Sequence, residues 1–259
     1  MNEFLPKSWV VDDQGVRIFI LAGSEKALIV DSGMTGLNVI GLARKYTNLP
    51  LELLNTHADM DHIAGNGSFR KFFMHPGDIG QFESSFGTGF EILPLSNGMV
   101  FDLGNRKLEV IHLPGHTSGS VTILDKENRC LIGGDPIQEN GDIYMFGSHR
   151  NMKKYIASLQ DLMKRANEFD YIYPSHAKIP VSKYIIPQLI EGASKILEGR
   201  VPGIQQEVHG TIIMAYDIGI DRFLCDSVEK TSAANRKDVT DTRSNLEAQG
   251  NRDCCKCIK

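Results

Sequence analysis

The chain has 259 residues, 41% of them apolar, and a formal net charge of −4. That length suffices for one sizeable core or two small ones, and mild acidity without a basic block in the folded part argues against a nucleic-acid partner. No apolar run approaches the ~20 residues of a membrane-spanning helix, and Met1–Val11 lacks the apolar centre and basic flank of a secretory signal.

Trp9–Asp12, Val16–Leu21 and Lys26–Asp31 read as successive strands, and Gly36–Tyr46 as a helix with Leu37, Ile40, Leu42 and Ala43 on one side. The apolar run Leu51–Asn55 is a further strand. It delivers His57-Ala58-Asp59-Met60-Asp61-His62 into the loop behind it. Helix capping accounts for Asp59 and Asp61 but not for the flanking His57 and His62. Imidazole and carboxylate both suit divalent first-row metals, and a loop presenting them in different directions can serve two ions. A helix is expected over 62–70 and a strand over Lys71–His75. Phe82, Phe86 and Phe90 fit either an apolar lid or the core face of a short helix, with Gly87 and Gly89 weakening both.

Strands follow at Met99–Phe101, Arg106–Leu113 and Val121–Leu124, and His116 sits in a Pro-Gly turn between the last two. Gly115 can adopt a backbone conformation closed to other residues, which lets the turn aim His116 inward. Cys130–Ile132 ends in Gly133-Gly134-Asp135, and Tyr171–Tyr173 ends in Pro174-Ser175-His176. Each feature alone is a turn residue or a surface histidine. Four strand ends finishing in ligand-type residues are hard to explain that way. Arg150–Arg165 is amphipathic, with Met152, Tyr155, Ile156, Leu159, Leu162 and Met163 at helical spacing; the two methionines there are core filling. Ser182–Leu197 reads as a second long helix, in which Pro187 either fits the first turn or breaks it. Val208–Ala215 and Arg222–Cys225 close as strands. Of the histidines outside the ligand set, His112, near His116 but on a strand, is assigned a structural role or one supporting the ligands from behind. His149 and Arg150, between Asp135 and the long helix, either bind an anionic substrate group at the site mouth or form a solvated helix start.

These motifs, in this order, resemble the metallo-β-lactamase superfamily from about residue 8 to 226. The family pattern is a His-x-His-x-Asp-His loop, a His in a Gly-His-Thr turn, an Asp after a Gly-rich strand, and a final His. The resemblance implies an α/β chain folded as a four-layer αββα sandwich over residues 1–226; periodicity alone gives only a mixed α/β domain. It also implies that His57, Asp59 and His116 hold one divalent ion, that Asp61, His62 and His176 hold another, and that Asp135 bridges them. One position departs: Asp59 stands where the family usually has its second His. A carboxylate there adds negative charge and hardens the ligand set, which favours iron or manganese relative to zinc and should acidify a bound water less. Flavodiiron proteins of the same superfamily also carry a carboxylate at this position.

The implied function is a metal-dependent hydrolase, in which a hydroxide bridging two ions, zinc first and iron or manganese as alternatives, attacks an ester, thioester, lactone or similar bond of a small molecule. Asp61 would orient the nucleophile or pass its proton to the leaving group. The alternative is a di-iron protein reducing oxygen or nitric oxide, against which the chain offers no room for a flavodoxin-like domain. Residues 227–259 are polar and mixed in charge, as in disordered tails. Cys130, Cys225, Cys254, Cys255 and Cys257 are odd in number and follow no framework spacing, which points to reduced thiols in a cytoplasm.

Overall fold

The computed structural model describes residues 3–227, so all but the first residue of the expected tail, with Cys254, Cys255 and Cys257, lies outside the described residues. Strands β1 (Glu3–Leu5), β2 (Ser8–Asp13), β3 (Val16–Ala22) and β4 (Ala27–Val30) pair as an antiparallel meander. Helix α1 (Val39–Ala43) then returns the chain so that β5 (Leu51–Leu54) lies parallel to β4. Helices α2 (Met60–Ile63) and α3 (Pro76–Phe86) precede the parallel strands β6 (Lys71–Met74) and β7 (Glu91–Pro94) respectively. These seven strands form one sheet in sequence order.

The second half adds β8 (Val100–Asp102), β9 (Lys107–His112), β10 (Val121–Asp125), β11 (Cys130–Ile132), β12 (Asp142–Met145), α4 (Met152–Met163), β13 (Tyr171–Tyr173), β14 (Val181–Ser182) and α5 (Ile185–Leu197). It ends with β15 (Gly203–Val208), β16 (Thr211–Asp217) and β17 (Arg222–Asp226). Its main sheet has six strands in the order β14-β13-β11-β10-β9-β8, and four more form a separate sheet, β12-β17-β16-β15.

Alternation along β3 shows how the layers arise. Phe19 and Leu21 point into the core between the two large sheets, where they meet Val110, Val121 and Ile123. Ile18 and Ile20 point the other way, toward Val39 and Ala43 of α1 and Phe82 of α3. On the far face, Leu124 and Leu131 pack with Tyr155, Leu159 and Leu162 of α4 and Leu189 of α5. Each large apolar side chain so buried is worth roughly 1.5–3 kcal/mol. Helix, sheet, sheet, helix is the expected four-layer order.

Several boundaries differ from expectation. The helix expected over 62–70 is the short α2 followed by a 3-10 turn, Ala64–Ser68. Gly65 and Gly67 lower helix propensity there, and a Cβ on Gly65 would meet the Ser32 carbonyl at 2.4 Å. The strand expected at Val208–Ala215 is a hairpin: His209 and Gly210 both have positive φ, 50° and 74°, the two-residue turn that suits strand twist. Strand β15 escapes notice in the sequence because its Gln205-Gln206-Glu207 segment is polar and borders solvent. Pro187 is the third residue of α5, where its missing N–H breaks no helical hydrogen bond. Phe82 stacks on Phe86, centroids 5.1 Å apart, and meets Phe72 and Phe90 edge-on, so these rings are core and not a lid. Among the described residues, no helix is long and apolar enough to cross a membrane.

Candidate metal centre

The candidate ligands all follow the C-terminal ends of strands: His57–His62 after β5, His116 after β9, Asp135 after β11 and His176 after β13. Two glycine features build the turns. Gly115 has φ +140°, and a Cβ on it would lie 2.3 Å from the Tyr155 Cα, so α4 packs its first turn directly on the His116 loop. Gly133 and Gly134, with φ +81° and +89°, turn the chain beneath Thr56 and present Asp135.

The side chains converge as two groups. In the first, His116 Nε2 lies 3.2 Å from His57 Nε2 and 3.3 Å from Asp59 Oδ2, with His57 Nε2 to Asp59 Oδ2 at 3.4 Å. In the second, His176 Nε2 lies 3.1 Å from Asp61 Oδ2 and 3.3 Å from His62 Nε2, with His62 Nε2 to Asp61 Oδ2 at 3.5 Å. A tetrahedral ion with bonds of about 2.0–2.2 Å sets its ligand atoms about 3.3–3.6 Å apart. Both groups, at 3.1–3.5 Å, lie at or just inside that spacing. Asp135 faces both: Oδ1 is 3.3 Å from His62 Nε2, and Oδ2 is 3.7 Å from His116 Nε2 and 3.5 Å from His176 Nε2. Its Oδ1 is buried with no hydrogen-bond donor. A buried carboxylate oxygen in that state calls for a cation, so the donor set fits a pair of divalent ions.

The groups behind the imidazoles fix which ring nitrogen faces inward. His62 Nδ1 is 2.8 Å from Asp31 Oδ2, and His176 Nδ1 donates to the Gly15 carbonyl at 2.8 Å. Asp31 also accepts from Thr56 Oγ1 at 2.8 Å, and that hydroxyl lies 3.0 Å from His57 Nδ1. One buried carboxylate thereby orients His62 directly and His57 through Thr56, leaving both Nε2 atoms free as ligands. Asp78, also buried, accepts from Ala58 N at 3.1 Å, Gly119 N at 2.7 Å and Thr117 Oγ1 at 2.7 Å, tying the His57 loop to the His116 turn. Sequence reasoning missed Asp31, Thr56 and Asp78. Asp31 did carry a signal, since it ends an apolar strand before Ser32-Gly33 much as Asp135 ends β11; Asp78 carried none.

Charge is unevenly distributed. Burial would raise the Asp59, Asp61 and Asp135 carboxyls, yet the neighbouring histidines outweigh it and hold all three below the usual carboxylate range. Burial opposes protonation of His62 and His176 too, but the carboxylates around them raise both. His116 behaves oppositely: burial, then the positive charge of Arg150, push it down to about 4.

Arg150, read from the sequence as either an anion-binding residue or part of a solvated helix start, is turned toward the ligand groups. Its guanidinium turns inward, donating to Asp59 Oδ2 at 2.5 Å and to the His116 carbonyl at 2.5 Å, so both terminal nitrogens are engaged by the protein. His149 is exposed and does not line the cleft. His112 Nε2 donates to the Ser118 carbonyl at 3.0 Å, and its ring stacks on His75. A cleft of about 550 Å³ opens over the second ligand group, walled by Met34, Met60, Gln138, Tyr144, Ala177 and His209.

Comparisons with known proteins bear on the family and the fold. A family model described as the metallo-beta-lactamase superfamily matches residues 11–176. Acyl-coenzyme A thioesterase MBLAC2 of Gallus gallus is 24% identical over 202 residues, covering 62% of this chain and 72% of that protein. Hydroxyacylglutathione hydrolase 1 of Vibrio vulnificus is 30% identical over 163 residues, covering 61% of this chain and 61% of that protein. Among solved structures, a metallo-beta-lactamase from Pontibacter korlensis aligns with a TM-score of 0.59 at 16% identity, covering 71% of this chain and 93% of that one. The sec-alkylsulfatase Pisa1 from Pseudomonas sp. reaches 0.64 at 11% identity, covering 76% of this chain and 42% of that one. At such identities these structures bear on the fold alone.

Proposed function

The chain belongs to the metallo-beta-lactamase superfamily, and from that premise we propose a metal-dependent hydrolase that opens a thioester, ester or lactone bond of a small molecule. The observation that carries the proposal is the pair of ligand groups with Asp135 facing both. When bound, divalent ions at His57, Asp59 and His116 and at Asp61, His62 and His176 would supply Lewis acidity and an acidified water, zinc first by its preference for imidazole.

The chain's own residues do the rest. Asp61 is one-third exposed and lies at the cleft floor, its carboxylate kept ionised by His62 and His176. It is placed to take the proton of the attacking water on a carboxylate oxygen and to return it to the leaving group. Asp31 and the Gly15 carbonyl hold the imidazoles still. Met34, Met60 and Tyr144 offer apolar walls for the arm of the substrate. Among the described lining residues there is no Lys or Arg, so a small acyl thioester or ester fits better than a substrate whose negative charge must be held inside the cleft. The relatives that carry thioesterase and hydroxyacylglutathione hydrolase names support the same bond class.

The test is hydrolysis of short S-acyl, O-acyl and lactone substrates by protein stripped with a chelator and then reloaded. Activity should vanish on stripping, return on reloading, and fall at least ~100-fold in Asp61→Ala and His116→Ala. Turnover that persists in those variants would refute the mechanism. Metal-loaded protein inert toward the whole panel, but consuming oxygen from a reduced donor, would favour the redox alternative.

A further inference from the structure

We propose that Arg150 is the counter-ion that makes Asp59 electrostatically equivalent to a neutral imidazole, so that the first ligand group keeps the charge of a histidine set. The inference rests on the metal-binding reading of the site and concerns how this chain accommodates its departure from the family motif. Asp59 Oδ2 sits between two inward-facing imidazole nitrogens, at 3.3 and 3.4 Å, and the Arg150 guanidinium at 2.5 Å. Both side chains are largely shielded, at 12% and 19% exposure, so the pair is only weakly screened. Gln81 Nε2 donates to the other oxygen, Oδ1, at 3.0 Å, which leaves Oδ2 as the atom turned to the site.

The charge count is simple. Asp59, Asp61 and Asp135 put three carboxylates around the site; one guanidinium offsets one of them and restores the formal charge of a two-carboxylate set. Arginine suits this place because its fork engages two acceptors at once and does not deprotonate. The second acceptor is the carbonyl of His116, itself a candidate ligand, so one side chain registers two members of the group. Its position is fixed by the backbone: Asn151 N donates to the Gly115 carbonyl at 2.8 Å, and the Asn151 side chain caps α4 at Lys154 N. The expectation that Asp59 hardens the ligand set is therefore offset by a residue 91 positions away.

The test measures metal affinity by chelator competition on wild type, Asp59→His, Arg150→Met and the double variant, with far-UV circular dichroism of the metal-free proteins as the folding control. Charge compensation predicts opposite shifts that cancel. Asp59→His leaves a cation facing the ion and should weaken the first site ~tenfold, Arg150→Met bares the carboxylate and should tighten it ~tenfold, and the double variant should return within ~threefold of wild type. A merely structural Arg150 predicts the reverse for Arg150→Met, a loss of affinity, and that result would overturn the proposal. So would Asp59→His binding as tightly as wild type. If Asp59→His does not fold, Arg150→Lys against Arg150→Met decides: the lysine variant should stay near wild type, and equal effects of the two contradict the claim. Wild type that retains no metal at all refutes the metal centre itself, a distinct result from metal retention without compensation.

Discussion

At the scale of single residues, the centre depends as much on side chains behind the ligands as on the ligands. Asp31 is wholly buried, adopts a left-handed backbone conformation at φ 65°, and serves His62 and Thr56 together. Backbone strain of this kind is kept where the surroundings hold it in place. Asp31→Ala should therefore lower metal affinity by ~10–100-fold, the usual cost of losing an orienting partner. Chelator competition checks this, and unchanged affinity in a folded variant would contradict the assigned role. The ligand-type residues themselves were legible in the sequence because histidine and aspartate recur at strand ends with fixed spacing. Arg150's true partner was not, because Asp59 lies far along the chain and one side chain's direction leaves no periodic trace.

At the scale of elements, turns decide which groups meet. The Gly141 segment, entering β12, is held by Asp221, whose Oδ1 accepts from Gly141 N at 2.8 Å while Oδ2 is buried without a partner. Burial first, and then the nearby Asp142 and Glu139, push this carboxyl up to about 7. An acid raised in the folded state stays protonated there while the unfolded chain ionises near its ordinary value. The folded state then binds more protons between those values, so its contribution to stability falls as pH rises from about 4 to about 7. Asp221→Asn should remove that slope, making the variant's stability relative to wild type grow across this window. Urea unfolding at several pH values measures it, and parallel curves for the two proteins would refute the assignment. The hairpin at His209-Gly210 shows why some elements stay hidden: the middle of its strand β15, Gln205-Gln206-Glu207, is polar and breaks the apolar pattern between Ile204 and Val208.

At the scale of the whole molecule, periodicity marks strands and helices but only a mixed α/β domain. Strands β3 and β10 are buried along nearly their whole length, so their apolar runs do not tell which sheets face each other. The sandwich was legible through the ordered ligand motifs and their resemblance to a known family. The additional sheet β12-β17-β16-β15 was not, since it pairs a strand from before α4 with three from after α5, and sequence patterns carry no information on such distant pairing. What the fold achieves is the convergence of four strand ends on two adjacent groups of donors. Elemental analysis of protein purified without added metal or chelator tests this most directly. The account predicts about two divalent ions per chain, one for each group, falling on substitution of His116 or His176. A folded protein that carries no metal, and takes none up when offered zinc, manganese or iron, would contradict it.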